Sequence, residues 1–182
     1  MVRAEILLCW VVWVSAFLQA RIRAKGQIQR VSSKSSKYGI AFVGLSFALI
    51  SADVHPMGFE KSVPSLVFAM VAGPAAVILV WASVRHLGKQ WRFVAALSED
   101  HELIQSGPYR WVRHPIYASM LAMLFATGSA WTWWPMFLAS IAAFLVGTEI
   151  RVQAEDQLLE ERFQDSFRLY RSNVRAYVPR IR

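Results

Sequence analysis

The chain has 182 residues, of which 55% are hydrophobic and 18% are charged. It is more apolar than soluble domains, which have roughly 45–50% apolar residues. This composition excludes a disordered chain, a collagen-like chain and a disulfide scaffold, and it favours a small integral membrane protein. The formal net charge is +8, yet the basic residues lie between long apolar stretches, where membrane topology places them, so nucleic acid is not the predicted partner.

Four charge-free stretches predict the membrane segments. Ile6–Ala20 and Tyr38–Ala52 have 15 residues each, Ser62–Val84 has 23, and Pro115–Thr148 has 34. A spanning helix needs about 20 residues, so the fourth stretch is too long for one helix and too short for two full ones. It predicts a helical hairpin that turns near Gly128–Trp133, with arms about 25 Å long. The fold predicted is an all-α integral membrane protein with about five transmembrane segments, the last two forming the hairpin.

The distribution of Lys and Arg predicts the orientation. Six lie in residues 21–37, five in residues 85–113 and seven in residues 149–182, whereas residues 53–61 hold one. By the positive-inside rule, the first three of these segments are cytoplasmic, and their charges can also contact anionic lipids. Six positive charges directly after the first apolar stretch favour a membrane helix over a cleaved signal peptide. We expect a multi-pass protein of the cytoplasmic membrane, with its site facing the cytoplasm.

The first unusual polar stretch is Asp100–Tyr117, which leads into a helix that starts near Pro115. Proline suits a first helical position, and the free N–H groups there can face an anionic or polar ligand. His114 precedes this helix at the membrane boundary, with Tyr109 and Tyr117 at the same level. Taken singly, such residues are also ordinary members of an interfacial belt.

The second polar stretch begins at Glu149. From Ile150 to Val174 apolar residues recur at helical spacing, which predicts an amphipathic cytoplasmic helix that continues out of the last membrane segment. Arg151 and Glu155 are four residues apart and share one face of it. Alone, such a pair is a surface ion pair that contributes a few tenths of a kcal/mol.

The hairpin brings the two stretches together. If residues are counted equally outward from its midpoint near Trp131–Thr132, His114 faces Glu149, and Arg151 and Glu155 emerge beside it. Ionisable groups at such a boundary indicate function. We expect a site there that holds a water-soluble cofactor from the cytosol and a lipophilic substrate from the bilayer.

These stretches resemble the signature of the isoprenylcysteine carboxyl methyltransferases, a membrane family related to the phospholipid N-methyltransferases. The first, His101-Glu-Leu-Ile-Gln-Ser-Gly-Pro-Tyr-Arg-Trp-Val-Arg-His-Pro-Ile-Tyr117, is similar to H-x-L-V-x-S-G-x-Y-x-x-x-R-H-P-x-Y. The second, Arg151-Val-Gln-Ala-Glu155-Asp156, is similar to R-x-x-x-E-E. The resemblance divides the chain into three N-terminal membrane helices with a basic cytoplasmic loop (1–84) and a catalytic region of cofactor loop, hairpin and C-terminal helix (85–182).

The resemblance implies S-adenosylmethionine as the cofactor, held without a Rossmann fold. The implied cofactor ligands are His101, Glu102, Leu103, Ile104, Tyr109, His114, Pro115, Ile116, Tyr117 and Glu155. Arg151 is implied to bind the acceptor, and Arg151 and Glu155 form the implied catalytic pair. Two residues depart from the family pattern. Asp156 stands where the second acid is usually Glu, and Gln164 stands where a glycine usually follows Phe163.

The chemistry favours a carboxylate as methyl acceptor. An anionic carboxylate that attacks a cationic sulfonium cancels charge in the transition state, and exclusion of water favours that step. Carboxylates are already ionised at neutral pH, so no base is needed. Arg151 can orient a carboxylate through paired hydrogen bonds. The predicted activity is O-methylation of a prenylcysteine-like or other lipophilic acceptor.

Three other functions remain open from the sequence. A small transporter subunit fits the break at Gly73-Pro74, but the spans have no charged residues. A phospholipid N-methyltransferase fits if Arg151 binds a lipid phosphate while Glu155 or Asp156 takes a proton from the amine. A non-enzymatic membrane scaffold that binds anionic lipids through its basic loops fits the charge distribution, but it has no reason to bind S-adenosylmethionine. The sequence shows no cluster with the usual spacing of metal ligands, so no metal is predicted.

Overall fold

The computed structural model describes residues 1–24, 31–32, 36–52, 60–91, 96–97 and 102–177. These residues form five α-helices, α1 (Val2–Arg23), α2 (Ser36–Ser51), α3 (Val63–Leu87), α4 (Pro115–Ala130) and α5 (Trp134–Asn173). Short 3₁₀ helices cover Gly88–Gln90 and Gly107–Arg110, and two-residue strands β1 (Val31–Ser32) and β2 (Ala96–Leu97) pair antiparallel. The predicted helical membrane fold is confirmed.

Three of the helices are long and apolar enough to cross a membrane. They are α1, α3 and α5, with 22, 25 and 40 residues. Helices α2 and α4 have 16 residues each. At 1.5 Å per residue they are about 24 Å long, shorter than a hydrocarbon core of about 30 Å. Large apolar side chains are exposed on α1 and α3, among them Leu8, Val11, Val71 and Ile78, as expected for surfaces that face lipid.

The predicted hairpin turn is confirmed, because α4 ends at Ala130 and α5 begins at Trp134. Its two arms follow different partners: α4 packs along α3, and α5 packs along α2. Helices α2 and α5 are in close backbone contact at Gly39 and Gly147. A Cβ atom at Gly39 would lie 2.7 Å from the carbonyl oxygen of Gly147, so this crossing requires glycine. Small residues permit such contact between membrane helices.

Two tryptophan side chains of α1 form hydrogen bonds with α4. The indole of Trp13 donates to Ser119 Oγ at 3.1 Å, and the indole of Trp10 donates to Thr127 Oγ1 at 3.0 Å. Trp13 is buried and packs edge-on against Phe17, with ring centroids 4.7 Å apart. Polar pairs of this kind position helices where packing between apolar surfaces is not directional.

Helix α5 extends well beyond its apolar part, as predicted. Charged residues begin at Glu149, and the helix continues to Asn173. It is interrupted at Gln164, whose backbone has φ 45° and ψ −118°. This is a conformation that glycine adopts and that other residues occupy at a cost of about 1–3 kcal/mol. The position at which the resemblance implies glycine therefore has a glycine-like backbone with a glutamine side chain.

The basic segments meet at one end of the bundle. Strand β1, within residues 21–37, pairs with β2, within residues 85–113. Val112 forms a parallel bridge with Arg175, which follows α5. Segments that pair in this way lie on the same side of a membrane, and the side that they face stays a prediction.

Candidate active site

A cavity of about 410 Å³ lies at this end of the bundle. It is lined by residues 102–104, by the segment around Tyr109 and His114, by the first turns of α4, and by α1, α2 and α5. Ligand pockets in proteins typically measure about 300–1,000 Å³. The volume therefore suits one small ligand or the reacting portion of a larger one.

Most of the predicted site residues line this cavity. They are Glu102, Leu103, Ile104, Tyr109, His114, Ile116, Tyr117, Arg151 and Glu155. Pro115 is fully buried as the first residue of α4 and does not contribute to the lining. His101 lies outside the described residues.

Arg151 is buried, with only 7% of its surface exposed. Its Nε donates to the hydroxyl of Tyr117 at 2.6 Å, its Nη1 to Ser36 Oγ at 3.4 Å, and its Nη2 to Glu155 Oε1 at 3.2 Å. The guanidinium also lies 5.5 Å from the centre of the Tyr117 ring. The interpretation of Arg151 and Glu155 as a solvated surface pair is therefore wrong, because α2 and α4 enclose the pair.

Glu155 accepts hydrogen bonds from two side chains, and a third lies within ion-pair distance of its carboxylate. Besides Arg151, the hydroxyl of Tyr117 donates to Oε1, and His114 Nδ1 lies 3.3 Å from Oε2. The side chain of Glu155 is 24% exposed, so part of the carboxylate is open to a ligand. Burial raises the pKa of Glu155, but the hydrogen bond from His114 and the charge of Arg151 outweigh burial and lower the pKa below its ordinary value. Glu155 is thus an ionised acceptor at neutral pH.

His114 binds Asp156 with its other ring nitrogen. His114 Nε2 lies 2.8 Å from Asp156 Oδ1, and Arg113 Nη2 lies 2.8 Å from Asp156 Oδ2. Burial lowers the pKa of His114, but hydrogen bonds to Asp156 and Glu155 reverse this and raise the pKa to about 9. Burial raises the pKa of Asp156, but His114 and Arg113 lower it below its ordinary value. Four charged groups of alternating sign therefore follow one another from Arg113 to Glu155.

The register of the hairpin differs from the one predicted. Equal counting pairs His114 with Glu149, whereas the structure pairs it with Glu155 and Asp156. Equal counting assumes two parallel arms, but α4 follows α3 while α5 follows α2. His114 also precedes the helix, with φ −123° and ψ 63°, so it reaches further from the turn than a helical residue does.

The loop before α4 is held by the C-terminal part of α5. The hydroxyl of Tyr170 donates to the carbonyl oxygen of Tyr109 at 2.5 Å, and the backbone N–H of His114 donates to the carbonyl oxygen of Ala176 at 2.7 Å. Gly107 has φ 58°, a left-handed conformation that favours glycine, and a Cβ atom there would lie 2.4 Å from the imidazole of His86. These contacts set the position of the Tyr109 ring in the cavity wall.

The Tyr109 hydroxyl is buried and has no hydrogen-bond partner among the described residues. Burial, followed by the charge of Glu155, raises its pKa, so it is a neutral phenol that can donate or accept. A buried polar atom without a partner costs about 1–3 kcal/mol. A ligand in the cavity is able to form a hydrogen bond with the Tyr109 hydroxyl.

Comparison with known proteins identifies the family. The sequence model of the isoprenylcysteine carboxyl methyltransferase (ICMT) family matches residues 67–161, more than half of the chain. The chain belongs to this family. It is therefore a membrane methyltransferase, and the match includes both halves of the polar constellation.

This ICMT-family chain is also similar to a bacterial protein over most of its length. The uncharacterised protein YpbQ of Bacillus subtilis (strain 168) shares 26% identity over 144 residues, which are 79% of this chain and 84% of the relative. A match of this length involves part of residues 1–84 as well as part of residues 85–182.

The ICMT-family signature does not account for the apolar wall of the cavity. Five aromatic or aliphatic residues of α1 and α2 line it, namely Trp13, Phe17, Ile40, Val43 and Phe47. Trp91 and Met120 extend the same wall. Sequence reasoning did not find these residues, because α1 and α2 are apolar on their lipid-facing sides as well and show no periodicity that separates the two faces.

Proposed function

We propose that this ICMT-family protein transfers a methyl group from S-adenosylmethionine to a carboxylate on a lipophilic acceptor. One observation carries the proposal: a single cavity joins the charged groups of Arg151, Glu155 and His114 to an apolar wall from α1 and α2. Such a lining offers charged groups to a polar cofactor and an apolar surface to the acceptor. A prenylcysteine-like compound is the acceptor class that the family description suggests.

The residues present fit this cofactor. Glu155 offers a partly open carboxylate for an ammonium group, and the Tyr109 hydroxyl offers an unused polar atom in the wall. Residues 102–104 line the cavity in non-helical backbone, whose N–H and C=O groups are able to bind a base or ribose. When bound, S-adenosylmethionine supplies an electrophilic methyl group on a sulfonium.

The protein's own residues bind and orient the cofactor and the acceptor, and none of them has to take a proton. Glu155 holds the cofactor's amino group, and it stays ionised because His114 and Arg151 stabilise its charge. Arg151 directs the acceptor carboxylate, and Tyr117 and Ser36 fix its guanidinium in place. The acceptor is already ionised at neutral pH, so orientation and exclusion of water are the contributions required.

The proposed site opens toward the cytoplasm. The basic segments 21–37, 85–113 and 149–182 hold most of the Lys and Arg residues, and the positive-inside rule assigns them to the cytoplasmic side. This orientation gives a water-soluble cofactor access from the cytosol, and the lipid-facing helices give an apolar acceptor access from the bilayer.

Methyl transfer to two synthetic acceptors tests the function. The purified protein in detergent is given S-adenosylmethionine with a labelled methyl group and either a farnesylated cysteine analogue or phosphatidylethanolamine. We expect methylation of the first, lost in Arg151→Lys because lysine keeps the charge without the planar fork that pairs with a carboxylate. Arg168→Lys is the control, since Arg168 is 63% exposed on the same helix.

Two outcomes contradict the proposal. Methylation of phosphatidylethanolamine alone, with a rate that rises toward the pKa of the amine at about 10, would indicate N-methylation instead. Methylation of the farnesylated acceptor that is equally fast in Arg151→Lys would remove Arg151 from the acceptor site.

A further inference from the structure

Asp156 lies behind the cavity rather than in its wall. Its side chain is only 8% exposed, and its two carboxylate oxygens bind Arg113 and His114, each at 2.8 Å. Arg113 is itself fixed, because its Nη1 donates to the carbonyl oxygens of Arg171 and Val174. The carboxylate of Asp156 therefore has a rigid position beside the imidazole.

The two ring nitrogens of His114 face carboxylates on opposite sides. Nε2 meets Asp156 at 2.8 Å, and Nδ1 meets Glu155 at 3.3 Å. A neutral imidazole has one N–H, so its other nitrogen would direct a lone pair at an anion. Only the doubly protonated ring presents an N–H group to both carboxylates. The direction of the His114 pKa, raised to about 9, agrees with this geometry.

The other groups near His114 do not oppose its charge strongly. The Tyr117 ring of α4 lies with its centroid 5.8 Å away and carries no charge. The cations Arg113 and Arg151 are each paired with a carboxylate, Asp156 and Glu155. Each positive group in this row is thus separated from the next by a negative one.

We propose that Asp156, anchored by Arg113, is a positioning residue that keeps His114 doubly protonated, so that the charged ring holds the Glu155 carboxylate in place at the cavity wall. One part of the inference rests on the proposed function, namely that Glu155 binds the cofactor. The protonation of His114 is a property of the protein without any ligand. The acid that departs from the family pattern thus has a defined task in this chain.

The protonation state of His114 can be measured directly. The full chain, labelled with ¹⁵N-histidine in detergent micelles, has four histidines, His55, His86, His101 and His114. Spectra of His114→Gln identify the His114 signals. In the wild type we expect both ring nitrogens to show imidazolium shifts up to a pH near 9. In Asp156→Asn we expect the midpoint to fall by about 1–3 pH units, because one anionic partner is lost.

Three variants separate positioning from general damage. Asp165→Asn removes a carboxylate that is 95% exposed on the same helix, and it should leave the His114 titration unchanged. Asp156→Glu keeps the anion and should retain the high midpoint. If Asp156→Asn does not fold, the wild-type and Asp156→Glu titrations still test whether His114 is doubly protonated beside a carboxylate at position 156. A ring that is neutral at pH 7.5 in the wild type, or a His114 midpoint that is unchanged in Asp156→Asn, would overturn the proposal.

Binding of S-adenosylhomocysteine, measured by calorimetry on the same samples, separates the two hypotheses. We expect Asp156→Asn to bind several-fold more weakly than the wild type and Asp165→Asn to bind equally. If the His114 titrations behave as expected but the wild type does not bind S-adenosylhomocysteine, the proposed cofactor is wrong, while the effect of Asp156 on His114 stands. If binding is unchanged in Asp156→Asn although His114 has lost its proton, the positioning role is refuted.

Discussion

The Glu155→Gln variant gives the most direct test of the proposed cofactor site. The carboxylate of Glu155 lies 3.2 Å from Arg151 Nη2 and 3.3 Å from His114 Nδ1, and it also accepts from the Tyr117 hydroxyl. An amide of similar shape keeps an acceptor oxygen but loses the negative charge. A hydrogen bond to a charged group contributes about 1.5–3 kcal/mol. Affinity for S-adenosylhomocysteine should therefore fall about 10- to 150-fold.

The same substitution should lower the stability of the ligand-free protein. It leaves the cations of Arg151 and His114 without their shared partner, and breaking a buried pair costs about 3–5 kcal/mol. Glu155 is 24% exposed, so solvent screening reduces the loss and we expect the lower end of that range or less. Thermal unfolding in detergent measures this loss, and calorimetry below the unfolding temperature measures the affinity.

Glu161→Gln is the matched control. Glu161 lies on the same helix, is exposed, and accepts a hydrogen bond from Gln157 at 3.1 Å. We expect neither affinity nor unfolding temperature to change there by more than a small amount. Unchanged affinity in Glu155→Gln, despite reduced stability, would show that the carboxylate is structural and does not bind the cofactor.

Three further predictions follow from other parts of the structure. Gln164→Gly should stabilise the protein by about 1 kcal/mol, seen as a higher unfolding temperature, because glycine adopts a positive φ without strain. A lower unfolding temperature would contradict the positive φ at Gln164. Phe17→Leu should raise the KM for a farnesylated acceptor and leave S-adenosylhomocysteine affinity unchanged, since Phe17 belongs to the apolar wall. Weaker binding of S-adenosylhomocysteine with an unchanged KM for the acceptor would show that Phe17 contacts the cofactor instead. Single cysteines introduced in a Cys9→Ala background should be labelled from outside at Ser62 and from the cytoplasm at Ser172; cytoplasmic labelling of Ser62 would refute the topology.

The sequence predicts much of this fold because apolar length and charge are local properties. The helices follow from where charges stop and resume along the chain, and the turn after Ala130 follows from the 34-residue length of the last charge-free stretch. The extension of α5 past Glu149 follows from its helical periodicity. Which helices pack together does not follow from these properties, because lipid and protein interiors are equally apolar and every face of α1 or α3 suits both.

The polar part of the site was also accessible from the sequence, but its connections were not. Counting outward from the hairpin turn places Arg151 and Glu155 beside the segment before α4. It assigned no partner to Asp156, because an acid one position after another lies on a different side of the helix. Only the three-dimensional arrangement shows that Glu155 and Asp156 bind opposite edges of one imidazole, that of His114.

The packing of α2 against α5 explains why residues 1–84 belong to the site. Gly39 and Gly147 let the two backbones approach closely, and this places Ser36, one helical turn earlier, beside the guanidinium of Arg151. A larger residue at Gly39 would meet Arg151 Cγ at 2.5 Å as well as the backbone of α5. A guanidinium displaced from the Tyr117 hydroxyl would lose the orientation that paired recognition of a carboxylate needs. The N-terminal helices therefore contribute both the apolar wall of the cavity and the support that orients its central cation.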